Sequence, residues 1–232
     1  MSTGLKASSG WLSGLGLAAL FFAGAASAAE VRVMISAGFY GAYSKLVPAF
    51  ERASGHRVVT TRGPSRGDSP EAILVELARS QVGVVVRAGV AKPDIGSVEA
   101  FRNALIVARS IAYSDSGSGT YLSGTLFAKL GVAEQVAGKS RKVRGPPSGE
   151  PVAAVVARGE AEIGFQQVSD LIHVPGVTFV GAIPAELQPG FSFAAAITGT
   201  AGEPDAARAL VRFLASPDAA PSIREAGLAL PK

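Results

Sequence analysis

Two loops of this sequence place serine and glycine residues directly ahead of segments with helical character. One loop combines Gly63-Pro64-Ser65 with Asp68-Ser69-Pro70, and the other spans Ser114–Thr120. The N-terminus of a helix points backbone N–H groups and the positive end of the peptide dipoles outward, so it attracts anions. Serine hydroxyls add neutral donors, and glycine lets the backbone approach a ligand closely. Both loops therefore have the chemistry to bind an oxyanion without a matching cation.

The same residue types also have an ordinary structural role. Serine or aspartate ahead of a helix caps its free N–H groups, so capping alone explains either loop. Ser69 fits a cap better than a ligand contact, and Ser69-Pro70-Glu71 predicts the start of a helix that runs to about Ser80. For Ser65 and for the Ser114–Thr120 loop, capping and ligand contact both remain open.

Residues for other kinds of site are sparse. The chain has no Cys, and its two His residues, His56 and His173, lack partners at metal-ligand spacing. Thiol chemistry is excluded, and neither a metal nor a cofactor is expected. Gly117-Ser118-Gly119 is too short for the nucleophile elbow Gly-x-Ser-x-Gly. We therefore expect no catalytic residue and no enzyme activity, and a secreted hydrolase stays only as an alternative hypothesis.

The N-terminal segment predicts export. Lys6 precedes an apolar run from Trp11 to Ala25, and Ala26-Ser27-Ala28 fits the Ala-x-Ala rule for signal peptidase. The apolar run is short for a membrane span. We expect residues 1–28 to be a cleaved signal peptide and the mature chain, starting near Ala29, to be periplasmic.

The composition is that of a globular, mildly basic protein. Hydrophobic residues make up 48% of the chain, charged residues 17%, and the formal net charge is +4. One dense basic cluster, formed by Lys139, Arg141, Lys142 and Arg144, predicts a solvated loop more strongly than an anion site. A nucleic-acid partner is not expected, because such proteins usually carry a dense basic face.

Short apolar runs alternate with helical patterns along the mature chain. Val31–Ala37 and Val82–Arg87 are predicted strands, and Tyr43–Ser54 is a predicted helix that ends before Gly55. This alternation predicts an α/β fold with mostly parallel sheets.

The order of several motifs resembles the periplasmic solute-binding proteins of ABC importers, in the branch of the molybdate-binding proteins. The motifs are Val31–Ala37 with Gly38-Phe39-Tyr40, Pro48–Gly55, Gly63–Ser65, Ala157–Phe165 and Ala209–Pro217. Each motif is only moderately specific, but together they cover nearly all of the mature chain.

This resemblance implies two lobes with a ligand cleft between them. Lobe one would combine residues 29–81 with 198–232, and lobe two would be residues 82–197, with Val82–Arg87 and Phe191–Ile197 as the crossover strands. With the two loops described above, the implied ligand-binding residues are Gly38, Phe39, Ser65, Ser116, Gly117, Ser118 and Gln166. The implied partners are a membrane ABC permease and the ligand, and the receptor would act as a monomer.

Two departures from the family pattern affect the expected ligand. A strand-helix unit is missing ahead of Val82, so lobe one is shortened, and a copy with weak or no transport function is an alternative hypothesis. Gly38 stands where a Ser is usual, and Gln166 stands where a Tyr is usual. The first hypothesis is molybdate or a related tetrahedral oxyanion, and the alternative is a small organic acid, since an amide in place of hydroxyls suits carboxylates.

Overall fold

The computed structural model of this protein describes residues 28–63, 73–146 and 148–231. The predicted signal peptide, Ser65 and the predicted helix start at Ser69 lie outside the described residues. The strands are β1 (Glu30–Ile35), β2 (Arg57–Arg62), β3 (Ile73–Ser80), β4 (Val82–Arg87), β5 (Ile111–Ser114), β6 (Ser140–Val143), β7 (Ile163–Gln167), β8 (Val177–Ala182) and β9 (Phe191–Ile197). The α-helices are α1 (Ala37–Ser54), α2 (Val98–Val107), α3 (Gly117–Tyr121), α4 (Phe127–Lys129), α5 (Ala133–Ala137), α6 (Val152–Ala157), α7 (Val168–Leu171), α8 (Pro204–Leu214) and α9 (Ala220–Glu225). A π-helical turn, Leu122–Leu126, joins α3 to α4.

The described strands form three sheets, and the predicted α/β class is confirmed. One sheet has five strands in the order β6-β5-β7-β4-β8, while β1 pairs with β2 and β3 pairs with β9. The pairing is more mixed than the sequence predicts. The β1-β2, β5-β6 and β5-β7 pairs are parallel, whereas the β3-β9, β4-β7 and β4-β8 pairs are antiparallel.

Helix α1 shows how the sequence builds the first hydrophobic core. Phe39, Tyr43, Leu46 and Phe50 recur at helical spacing and are all buried against β1, α8 and α9. The helix ends at Gly55, whose φ of 72° suits the left-handed turn that closes a helix. This end was predicted, although the helix begins six residues earlier than the predicted start at Tyr43.

The buried residues divide the described chain into two halves. We call the part that contains β1–β3, β9, α1, α8 and α9 the terminal half, because its core combines residues from the N-terminal and C-terminal parts of the described chain. The five-stranded sheet and the helices around it form the central half, with cores on both faces of the sheet. Only Gln81 separates β3 from β4, so the chain passes between the halves there. The predicted lobe limits, 29–81 with 198–232 and 82–197, stay a prediction; β9 pairs with β3 of the terminal half.

The helix predicted to continue to Ser80 is wrong for its described part, which is strand β3. The strand pairs with β9 from Ile73 opposite Ile197 to Ser80 opposite Phe191, with an irregularity between Glu76 and Ala78. That bulge breaks the simple alternation of apolar and polar residues that marks a strand. The partner strand is more than a hundred residues away in the sequence, so a local pattern could not reveal the pairing.

A groove separates the two small sheets of the terminal half. It has a volume of about 980 Å³ and is lined by β1, β9 and α8. Among the described residues, β1 pairs only with β2 and β9 pairs only with β3. Each of the two strands therefore has one edge, unpaired among the described residues, that faces the groove. One additional strand in the groove would join the two small sheets into a continuous sheet.

Candidate functional site

The loops of the candidate site gather at the carboxyl ends of parallel strands. Strands β5 and β7 are neighbours with Tyr113 opposite Phe165, so Ser114 and Gln166 emerge side by side at the same sheet edge. In the terminal half, β1 leads through Ser36 directly into the N-terminus of α1. Open α/β folds bind ligands at such carboxyl ends, where loops and helix N-termini meet.

Three serine hydroxyls form a cluster at the end of β5. The Oγ atom of Ser114 lies 2.7 Å from that of Ser116 and 3.2 Å from that of Ser118, and the Ser116 and Ser118 oxygens are 3.2 Å apart. Ser114 and Ser118 are buried, whereas Ser116 is half-buried. Ser116 occupies the N-cap position of α3 but makes no side-chain capping bond. The most accessible hydroxyl of the cluster is therefore the one next to a helix N-terminus.

The neighbouring glycines shape this loop. A Cβ atom at Gly119 would lie 1.6 Å from the carbonyl oxygen of Ser114, so any side chain there would displace the turn. A Cβ atom at Gly117 would lie 3.8 Å from Cε1 of Phe191, an ordinary contact. The Asp115 carboxylate accepts a hydrogen bond of 3.1 Å from the N–H of Gly145. Asp115 therefore ties two loops together, which explains how an acid occurs inside a loop predicted to bind anions.

Gly38 lies in the first turn of α1 against residues of both halves. A Cβ atom there would lie 2.5 Å from Cζ of Phe193 on β9 and 3.0 Å from Oε1 of Gln167 on β7. Ser36, at the N-cap of α1, makes no side-chain capping bond. Phe39 is 4% exposed and its ring centroid lies 6.0 Å from that of Phe193, so its side chain belongs to the core of the terminal half.

Strand β9 connects the two loops. Phe191 contacts the Gly117 position and Phe193 contacts the Gly38 position. Residues two apart in a strand project from the same face, with their Cα atoms about 7 Å apart. The serine cluster and the N-terminus of α1 therefore flank the same face of one strand.

The two glutamines at the end of β7 have different surroundings. The Oε1 atom of Gln166 accepts a hydrogen bond of 3.1 Å from the N–H of Val152, the first residue of α6. The Oε1 atom of Gln167 has no hydrogen-bond partner among the described residues, although the residue is only 9% exposed. Sequence reasoning selected Gln166 and passed over Gln167. Adjacent strand residues point to opposite faces, so the choice required knowing which face of β7 meets α1.

Two arginines lie near the site; sequence reasoning missed Arg62 and assigned Arg144 to a basic cluster that predicts a solvated loop more strongly than an anion site. Arg62 ends β2 opposite Ile35, next to the start of α1, and its guanidinium lies 4.1 Å from the ring centroid of Tyr40. Arg144 follows β6, whose Val143 is opposite Ser114. Both arginines are exposed. The remaining basic cluster is partly engaged, since Lys139 donates to the carbonyl of Ile106 and Arg141 pairs with Glu160.

One carboxyl group near the site has an unusual protonation equilibrium. Burial raises the pKa of Asp170, on α7, to about 6, while a hydrogen bond with Gln166 and the charge of Arg62 act in the opposite direction. Helix α7 packs against α1 of the other half. Asp170 therefore exchanges a proton near neutral pH at the boundary between the two halves.

Together these residues offer several means of holding a small anion. Free helix N–H groups, the Ser116 hydroxyl and two exposed arginines attract negative charge. The amide oxygen of Gln167, which has no partner among the described residues, is available to accept a hydrogen bond. In the described part of the chain, no helix is both long and apolar enough to cross a membrane.

This chain is similar in sequence to two named proteins and in structure to a solved one. The chain is 38% identical over 229 aligned residues to an aconitate isomerase from a Pseudomonas species, with 84% of this chain and 86% of the relative covered. It is 30% identical, over an alignment 249 positions long, to the molybdate-binding protein ModA of Azotobacter vinelandii, with coverage of 92% of this chain and 95% of the relative. The solved structure of a periplasmic molybdate-binding protein from Azotobacter vinelandii superimposes with a TM-score of 0.65 at 21% identity, covering 87% of this chain and all of that one.

The family follows from a match over most of the chain. The model of a family described as bacterial extracellular solute-binding proteins matches residues 72–229. Its range includes the serine cluster, Gln167 and β9. The expected resemblance is thereby confirmed, and this chain belongs to the bacterial extracellular solute-binding proteins.

Proposed function

We propose that this protein is the periplasmic receptor of an ABC importer and binds a small organic acid between its two halves. The observation that carries the proposal is the contact between Gly38 and Gln167 at the N-terminus of α1. At this point the terminal half offers backbone N–H groups without a hydroxyl on residue 38, and the central half offers an amide. Free N–H groups complement a carboxylate, whose oxygens accept hydrogen bonds, and the amide oxygen of Gln167 accepts one from a donor group of the same ligand.

Two arginines near the site favour acids with more than one carboxylate. Arg62 and Arg144 stand beside the start of α1 and the serine cluster, one in each half. A guanidinium matches a carboxylate with two parallel hydrogen bonds. A relative that shares 38% of the aligned residues is named for aconitate, a tricarboxylic acid, which supports this ligand class.

A thermal-shift panel on the mature chain tests the proposal. Di- and tricarboxylates such as succinate, citrate and aconitate should raise Tm, since a ligand bound only by the folded state stabilises it. Arg62→Gln and Arg144→Gln should each reduce the shift. Arg109→Gln is the matched control, because Arg109 precedes the opposite, amino end of β5. A panel in which no carboxylate moves Tm would remove the proposal.

An oxyanion such as molybdate is the second candidate ligand, favoured by the serine cluster. Three hydroxyls within 3.2 Å of each other at a helix N-terminus are neutral donors of the kind that hold a fully ionised oxyanion. The relative at 30% identity is named a molybdate-binding protein. Molybdate and tungstate therefore belong in the same panel, and a shift with these alone would favour this candidate.

Proton transfer is a candidate activity because Asp170 lies on α7, which packs against α1 at the boundary between the halves where the ligand is proposed to bind. A carboxyl group with a pKa of about 6 both takes and returns protons near neutral pH. In an isomerisation it would remove a proton from one carbon of an unsaturated acid and return it to another, with no net change in composition. Deuterium uptake by aconitate in D₂O, followed by NMR, tests this activity; uptake that Asp170→Asn leaves unchanged would contradict it.

A further inference from the structure

We infer that Gln167 selects organic acids that carry a hydroxyl group close to the bound carboxylate. This inference rests on the proposed function and specifies the ligand within that site. It starts from a polar atom with an unmet requirement: the Oε1 atom of Gln167 is buried without a hydrogen-bond partner among the described residues. A buried acceptor left without a donor is destabilising, so such atoms in folded proteins usually meet a ligand, an ion or water.

The position of this oxygen defines what it would meet. It lies 3.0 Å from the place that a Cβ atom would occupy at Gly38, in the first turn of the 18-residue helix α1. The free N–H groups of that turn attract a carboxylate. A carbonyl oxygen instead repels a carboxylate oxygen and requires a donor. The two requirements are met together by a ligand that places an O–H next to its carboxylate.

The surroundings of the Gln167 amide limit the size of the ligand group that can lie beside it. Gln167 is 91% buried, as follows from its 9% exposed fraction, and Phe193 covers the same Gly38 position with its ring. Space beside α1 is therefore limited to a small group. A hydroxyl fits this description, whereas a second carboxylate there would face the amide oxygen directly.

Discrimination by a buried acceptor is measurable. A site built to bond a ligand hydroxyl rejects the analogue that lacks it, because the acceptor then stays unpaired. Malate and succinate differ only by such a hydroxyl, as do citrate and tricarballylate. We expect the hydroxy acid of each pair to bind at least tenfold more tightly to the mature protein in calorimetry.

A substitution separates selection from a structural role. Gln167→Met keeps the length of the side chain and removes the acceptor, so the affinity ratio within each pair should fall to about one while the deoxy acids still bind. Gln81→Met is the matched control, because Gln81 is exposed; it should leave the ratio unchanged. If the Gln167→Met protein does not fold, the affinity ratios of the wild-type protein within the two acid pairs still test the inference.

The outcomes distinguish this inference from the proposed function. Equal binding of hydroxy and deoxy acids by the wild-type protein would overturn the role of Gln167 and leave the organic-acid receptor intact. A preserved ratio in a folded Gln167→Met protein would also overturn it. Absence of binding by every acid in the two pairs would overturn both.

Discussion

The side-chain oxygen of Gln167 lies 3.0 Å from the position that a Cβ atom would take at Gly38, although the two residues belong to different halves of the molecule. Glycine is the residue that fits here, because a Cβ atom would also overlap the ring of Phe193. Because Gln167 ends β7 and Gly38 begins α1, the contact joins a strand end to a helix N-terminus, the two kinds of site where α/β proteins hold small anions.

Replacing Gly38 by Ala should crowd this contact. The new methyl group would lie 2.5 Å from Cζ of Phe193, so the ring has to move. We expect a destabilisation of about 1–3 kcal/mol, typical of overpacking, and a loss of at least tenfold in ligand affinity. Chemical denaturation and calorimetry measure the two effects.

Gly41→Ala is the control for that substitution. Gly41 lies in the same helix, and a Cβ atom there would be 3.8 Å from Cβ of Ala226, which is an ordinary contact. Alanine should stabilise the helix by about 0.5–1 kcal/mol relative to glycine. Equal effects at both positions would contradict the tight contact at Gly38.

Two serine substitutions should separate ligand binding from stability. Ser118 is fully buried, so Ser118→Ala removes a buried hydrogen bond and should cost about 1 kcal/mol of unfolding free energy. Ser116 is half-buried and lies at the N-cap of α3 without a capping bond, and its removal leaves Ser114 the Ser118 hydroxyl as a partner, so Ser116→Ala should weaken ligand binding at a smaller cost in stability than Ser118→Ala. Denaturation curves and titrations of both variants test the distinction; the reverse pattern would assign Ser116 to the scaffold.

The Asp170 carboxyl should make the stability depend on pH. Burial raises its pKa to about 6 from an ordinary value of 3.8, so the folded protein binds its proton more tightly than the unfolded chain does. The stabilising contribution is complete below about pH 4 and is lost as pH rises through about 6. A shift of this size corresponds to a loss of about 2–3 kcal/mol.

Asp170→Asn isolates that contribution, because the amide does not titrate. The difference in unfolding free energy between variant and wild type should change between pH 4 and pH 7, with the wild type losing stability relative to the variant as pH rises. A constant difference across this range would show that the carboxyl has the same pKa in both states.

The open edge of β1 should be visible in hydrogen exchange. The carbonyl of Ala29 accepts a bond from Arg57 of β2 and that of Ile35 accepts one from Gly63, directly after β2, which assigns the odd-numbered residues of β1 to that partner. The amides of Arg32 and Met34 then point toward the groove. They should exchange much faster than those of Val31 and Val33 in NMR; equal protection would mean that another segment fills the groove.

Local sequence patterns predicted those parts of the fold that depend on local physics. The buried face of α1 and its end at Gly55 follow from helical spacing and backbone conformation. Strand β3 was mistaken for a helix because its pairing with the distant β9 and its bulge leave no local alternation. The secondary structure of such a segment is set by its pairing with a distant strand.

The candidate site was predictable in kind but not residue by residue. Serine and glycine ahead of α3 indicated an anion-binding loop, and the structure joins Ser114, Ser116 and Ser118 into one cluster. Whether Gln167 and Arg62 lie at the site depends on which face of a strand meets the other half. A single sequence does not specify that face. The roles of Ser65 and of the lobe limits stay predictions.

Calorimetric titration of the mature protein with citrate and, separately, with molybdate tests the central claim most directly. We predict saturable binding of citrate at one site per chain and no heat from molybdate. Saturable binding of molybdate, with citrate inert, would contradict an organic-acid receptor and return the site to the oxyanion hypothesis.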